Sequence, residues 1–143
     1  MIYQSLIKLF CSLQVTIQKS HNFHWNVTGP AYYQLHLLLD RIYGDLDAYT
    51  DRMAEHIRGY GRAPGAFAIY LQYSSVKENL NIPEAYAMLS ELLADVMILK
   101  AELMEVSKAA AGKQGTLNLL GELDESLDTI IYLLSSNQLN FNI

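Results

Sequence analysis

The chain has 143 residues, 51% of them hydrophobic and 17% charged, which suits one domain with one core and excludes a disordered protein. Ten Lys and Arg against 15 Asp and Glu leave a net charge of −5, the opposite of the basic footprint that a dedicated nucleic-acid binder needs. One cysteine, Cys11, excludes an internal disulfide framework and a Cys-based zinc site, and points to a reducing compartment.

In chain order, Ile2, Leu6, Phe10, Leu13 and Ile17 recur at three- and four-residue spacing, which predicts an amphipathic helix from about Tyr3 to Trp25. Lys8 interrupts the apolar stretch, and no A-x-A-like cleavage site follows it, so this segment reads as structure rather than as a targeting signal. The helix stops before Thr28-Gly29-Pro30, and Pro30 suits the first turn of the next one. That second helix is expected to run unbroken to about Arg58, ahead of Gly59-Tyr60-Gly61 and Pro64-Gly65. Ala66 to Tyr73 is short and apolar and is expected to form a brief helix within a long crossover. A third long helix starts near Pro83-Glu84, with Met88, Leu89, Leu92, Leu93, Val96, Leu99 and Leu103 as its buried stripe, and ends at Gly112. Thr116 is a candidate cap for the fourth, whose stripe is Leu119, Leu120, Leu123, Leu127, Ile130, Ile131 and Leu134. The closing SSNQLNFNI, residues 135–143, is polar and expected to fray.

No run of about 18 apolar residues exists, so no membrane span is expected. Residues 1–143 thus read as a single all-α domain, a four-helix bundle with a short extra helix in the crossover between helices two and three. The crossover makes helices two and three run in the same direction, as in ferritin-like bundles.

The second helix carries the chemistry. His36 and Asp40 are four apart, as are Asp51 and Glu55, so each pair shares a face. With His36 at zero, Asp40, Asp51 and Glu55 fall near 40°, 60° and 100°, at about 100° per residue. His36 and Glu55 are nevertheless roughly 28 Å apart along the axis, too far for one metal ion with ligands at about 2.0–2.2 Å. The pairs either serve separate purposes or meet at a site built from two chains. Two copies crossing antiparallel about a two-fold axis would place His36 and Asp40 of one against Asp51 and Glu55 of the other. Gly44, on the same stripe near its midpoint, would allow close backbone approach, and His24 could supply a third ligand. Ordinary helix-surface charges and a satisfied histidine are the competing reading. His56 points about 100° away from Glu55 and is set aside. Asp47 lies on the stripe as an interface ion-pair partner or transient metal site, and Asp45 is expected to be solvated.

The string His21-Asn22-Phe23-His24-Trp25-Asn26-Val27-Thr28-Gly29-Pro30 resembles the signature segment of the Dps family of mini-ferritins. His24, His36, Asp40, Asp51 and Glu55, at intervals of 12, 4, 11 and 4, match that family's ferroxidase ligand spacing. The resemblance implies that His24, His36 and Asp40 come from one subunit, and Asp51 and Glu55 from its two-fold partner, with two iron ions at each site. It further implies a cytoplasmic shell of twelve subunits that oxidises Fe(II) with hydrogen peroxide, stores the ferric mineral and protects against oxidative damage. Mixed imidazole and carboxylate ligands suit iron, and zinc is an expected adventitious occupant. Trp25, Tyr32, Tyr43 and Tyr49 either absorb stray oxidising equivalents or simply pack. His21, three residues before His24, reads as a neighbour of the site or a surface residue.

Two segments depart from the family. Many Dps proteins bind DNA through a lysine-rich tail, whereas here helical sequence begins at residue 2 and SSNQLNFNI holds no Lys or Arg. Twelve chains at −5 carry a formal −60, so direct DNA binding is doubtful without bridging divalent cations. The alternative function is a DNA-protecting, nucleoid-associated protein whose metal site is secondary. Where the family has pore-lining aspartates, this chain has Lys113-Gln114-Gly115-Thr116-Leu117-Asn118. Glu122, Asp124, Glu125 and Asp128 are either a displaced acidic funnel or a solvated helix start.

Overall fold

The computed structural model describes residues 1–137, and six α-helices form among them. They are α1 (Ile2–Asn26), α2 (Tyr32–Asp47), α3 (Thr50–Gly59), α4 (Phe67–Tyr73), α5 (Ala85–Ala109) and α6 (Gln114–Ser135). Residues 138–143, most of the expected C-terminal tail, lie outside the described residues.

The apolar stripes read from the sequence face one core. Leu6, Leu13, Leu39, Ile42, Leu92, Leu99, Leu123 and Leu127 are fully buried in a single cluster fed by every long helix. Side-chain contacts fix the helix directions. Lys19 meets Asp95 and Ser12 meets Glu102, so α1 and α5 run antiparallel. Gln14 meets Thr50 and His24 meets His36, so the α2–α3 arm is also antiparallel to α1 and therefore parallel to α5. Tyr60 meets Thr116 and Tyr49 meets Glu122, so α6 runs antiparallel to the α2–α3 arm and in the same direction as α1. This is the ferritin-like order, with α4 lying in the long crossover.

The second helix is not continuous to Arg58. It breaks at Ala48 and Tyr49, where the Tyr49 amide turns to the Leu46 carbonyl at 3.1 Å, a tighter i to i−3 bond. Both residues keep right-handed helical angles, so the arm tightens without reversing. Side chains hold the step. Thr50 donates to Asp47 at 3.2 Å and accepts from Gln14 at 3.0 Å, and the Tyr49 hydroxyl donates to the Glu122 carbonyl at 3.1 Å.

Two end signals act differently from expectation. Pro30 precedes α2, in a turn closed by the Tyr32 amide on the Gly29 carbonyl at 3.0 Å, and Gly29 takes a φ of 110° that other residues resist. Thr116 does not cap α6, which starts from Lys113. Its buried hydroxyl instead joins Tyr60 at 2.9 Å and the His56 ring at 3.2 Å. At α5, Glu84 caps the helix by accepting from the amides of Tyr86 and Ala87.

A polar seam between α1 and α5 was not visible in the sequence. Lys19, 6% exposed, bridges Asp95 at 2.8 Å and Glu91 at 2.9 Å, and Asn79 of the crossover donates to Glu91. Further along, Ser12 donates to Glu102 at 2.7 Å and accepts from the Ser75 amide at 2.9 Å. The crossover is therefore fastened to the α1–α5 seam at two points. Cys11 is fully buried. Burial, and then the charge of Glu102, push its thiol up to about 11, leaving an inert, apolar core residue.

Candidate functional site

The start of the site is the hairpin of α1 and α2. His24 lies in the last turn of α1 and His36 in the second turn of α2. The Nδ1 of His24 sits 2.7 Å from the main-chain carbonyl of His36, and the Nδ1 of His36 sits 2.9 Å from the main-chain carbonyl of His24. A carbonyl oxygen only accepts, so both Nδ1 atoms carry the proton. In the neutral imidazole this tautomer leaves the lone pair on Nε2, the form that ligates a metal. The rings stack with centroids 3.8 Å apart and planes 16° from parallel. Two imidazole rings are thus pre-oriented side by side.

Asp40, one turn beyond His36, is exposed, and its Oδ1 accepts from the Tyr43 hydroxyl. That hydrogen bond, then burial and the charge of Asp40, hold the phenol proton above its usual range. The Tyr43 ring stacks on His21 at 3.7 Å and presents an edge to His24 at 5.3 Å. Trp25, 63% exposed, lies 5.6 Å from His21, and Tyr32 lies 5.1 Å from His36. Tyr49 is the exception among the aromatics, since it serves the step between α2 and α3.

Asp51 and Glu55 stand on α3, both exposed. Among the described residues, no three His, Cys, Asp or Glu side chains converge tightly enough to hold a metal ion. The chain thus presents two sets of donors, an imidazole pair with Asp40 and a carboxylate pair further along the arm, on the outside of the bundle. Gly44 between them is exposed, and apart from its own stretch of helix nothing among the described residues comes within 4 Å of where a Cβ would be. His56 faces away, held by Thr116, Asp45 pairs with Arg41 at 3.3 Å, and Asp47 accepts from Thr50. On α6, Glu122 pairs with Arg52, while Asp124 and Asp128 share Lys100. Three of the four acids there are ion-paired, by two cations between them, as suits a stabilised helix more than an acidic funnel.

The fold defines a ferritin-like protein, and the ferritin-like domain family matches residues 4–136. Known proteins narrow this further. A DNA protection during starvation protein of Brevibacillus brevis is 31% identical over 82% of this chain and 81% of its own. The DNA protection during starvation protein 2 of Bacillus anthracis is 30% identical over 84% and 85% respectively. The crystal structure of Dps from Staphylococcus aureus superposes with a TM-score of 0.91 at 27% identity, covering 98% of this chain and 96% of that one. The chain belongs to the Dps family of ferritin-like proteins.

Sequence reasoning set His21 beside the site but missed the Tyr43 hydrogen bond to Asp40 and the stack of Tyr43 on His21. The available signal was the three-residue spacing of Asp40 and Tyr43 on one helix and of His21 and His24 on the other.

Proposed function

We propose that this protein is a ferroxidase and iron store whose catalytic sites form only between two subunits. His24, His36 and Asp40 of one chain and Asp51 and Glu55 of the partner subunit together hold two Fe(II) ions as substrate. The observation that carries this reading is the split donor set. Two imidazoles are oriented through their Nδ1 atoms with Asp40 one turn beyond, yet among the described residues no three such groups converge tightly enough to hold a metal ion. Nitrogen and carboxylate donors without thiolate fit Fe(II) and stabilise Fe(III), with zinc as an adventitious competitor.

Each of the two Fe(II) ions gives one electron to hydrogen peroxide. The O–O bond breaks, two protons are taken up, and both oxygens leave as water, so no hydroxyl radical is released. The ferric product passes into the hollow of a twelve-subunit shell, and the protein protects the cytoplasm against oxidative damage.

The unpartnered apolar surface supports the same assembly. Phe67, Leu71 and Leu80 are 79%, 51% and 88% exposed beside a groove of about 470 Å³ on α1, as expected of a face covered by a second copy. Direct DNA binding is not part of the proposed function, because a shell of chains at −5 each repels phosphate.

The test is peroxide-driven Fe(II) oxidation, added anaerobically and followed by ferric absorbance. His36→Ala and Glu55→Ala should each oxidise iron no faster than buffer. Co-assembled His36→Ala and Glu55→Ala chains should regain activity, because mixed dimers contain one site with all its ligands. Failure of the mixture to recover, with both variants assembled to wild-type size, rejects the shared site.

A further inference from the structure

Asp40 needs help to act as a ligand. It is exposed on α2, and a free carboxylate there must surrender rotamer freedom and choose between one- and two-oxygen binding each time a metal arrives. Oδ1 is occupied by the Tyr43 hydroxyl, which leaves Oδ2 as the oxygen open to a metal. Tyr43 is in turn not free to follow Asp40, because its ring is stacked on His21 with planes 27° apart and its edge contacts His24 at 71°. His21 and His24 are one turn apart on α1, so the ring is wedged against the helix that supplies the other ligand.

Resting on the metal-site reading above, we propose that Tyr43 is a positioning residue for Asp40 and that His21 is the seat that orients Tyr43. The hydroxyl holds one carboxylate oxygen so that the other is presented singly, and the imidazole of His21 fixes the plane from which the hydroxyl reaches. His21 then acts without touching metal, through a ring and a hydrogen bond. Groups that hydrogen-bond ligating side chains in this way typically change metal affinity by about 10–100-fold.

The experiment uses Co(II), titrated into the purified, assembled full chain against a competing chelator, with the ligand-field spectrum recorded at saturation. Tyr43→Phe keeps the stack and removes only the hydroxyl. It should weaken Co(II) binding by roughly tenfold or more and alter the spectrum as Asp40 changes its mode of binding. His21→Ala should weaken binding as well, and the double variant should lose little beyond Tyr43→Phe, since both changes break one chain of contacts. Metal-free thermal unfolding should stay close to wild type in Tyr43→Phe, which separates positioning from folding. Asp40→Ala is the reference. If Asp40→Ala weakens binding but Tyr43→Phe matches the wild type in affinity and spectrum, the positioning role is overturned and the site stands. If Asp40→Ala binds as tightly as the wild type, the metal-site reading fails and the role of Tyr43 falls with it.

Discussion

His24 and His36 hold each other through main-chain atoms: each ring donates its Nδ1 proton to the carbonyl of the other residue. Because neither anchor is a side chain, removing one ring leaves the other ring's anchor in place. In His36→Ala, imidazole nitrogen NMR should still show His24 as the Nδ1–H tautomer. A switch to Nε2–H would mean that stacking, and not the carbonyl, sets the tautomer.

The Lys19 bridge gives a second prediction. Lys19→Met leaves Asp95 and Glu91 without their cation in a dry seam, which should destabilise the fold by about 3–5 kcal/mol. Adding Asp95→Leu should restore much of that loss, because the more buried of the two stranded charges is removed while Glu91 stays partly exposed and hydrogen-bonded by Asn79. Urea unfolding at fixed subunit concentration measures both; equal destabilisation in the single and double variants would refute the argument.

Glu102 sets a pH dependence with a definite sign. Burial raises its carboxyl above the usual range, opposed first by the Ser12 hydroxyl, then by Lys8 and Ser75, with Glu105 adding to the rise. Its Oε2 is buried without a hydrogen-bond partner, so charging it is costly. The folded chain therefore binds this proton more tightly than the unfolded one. The resulting stability is complete below the unfolded value of about 4.3 and is lost as pH rises through the folded value. Glu102→Gln should thus gain on the wild type as pH climbs from that point, since Asp95, shifted the same way, is common to both proteins. A stability difference that does not change with pH would contradict this.

Gly65 makes a local prediction about the crossover. It sits at a φ of 98°, and a Cβ there would lie 2.7 Å from Ile69 Cγ2 in α4. Gly65→Ala should cost about 1–3 kcal/mol from backbone strain and overpacking together. Gly61→Ala, at a φ of 77° with nothing within 4 Å, should cost about 1 kcal/mol from strain alone. Thermal unfolding of the two variants at matched concentration should show that order.

The sequence disclosed what depends on periodicity. Leu92, Leu99, Leu123 and Leu127 announced their burial because a helix repeats every 3.6 residues, and His36/Asp40 and Asp51/Glu55 stood out as candidate pairs for the same reason, at four-residue spacing along one arm. What stayed hidden depends on partners far apart in the chain. Lys19 and Asp95 each look like an ordinary surface charge, and only the packing of α1 on α5 buries them together across 76 residues. Thr116 resembled a cap because its hydroxyl suits that task, but Tyr60 and His56 claim it first. The step at Ala48 and Tyr49 has no glycine or proline to mark it. It is held instead by Gln14 and Glu122 on neighbouring helices.

The reciprocal anchoring of His24 and His36 also works as a gauge of how α1 and α2 are aligned. A slip of one helix along the other by a single residue, about 1.5 Å, strains both carbonyl bonds at once. Donor geometry and helix register are therefore one quantity. A misregistered hairpin would aim both ring nitrogens wrongly, so the packing of α1 on α2 and the presentation of the two imidazoles succeed or fail together.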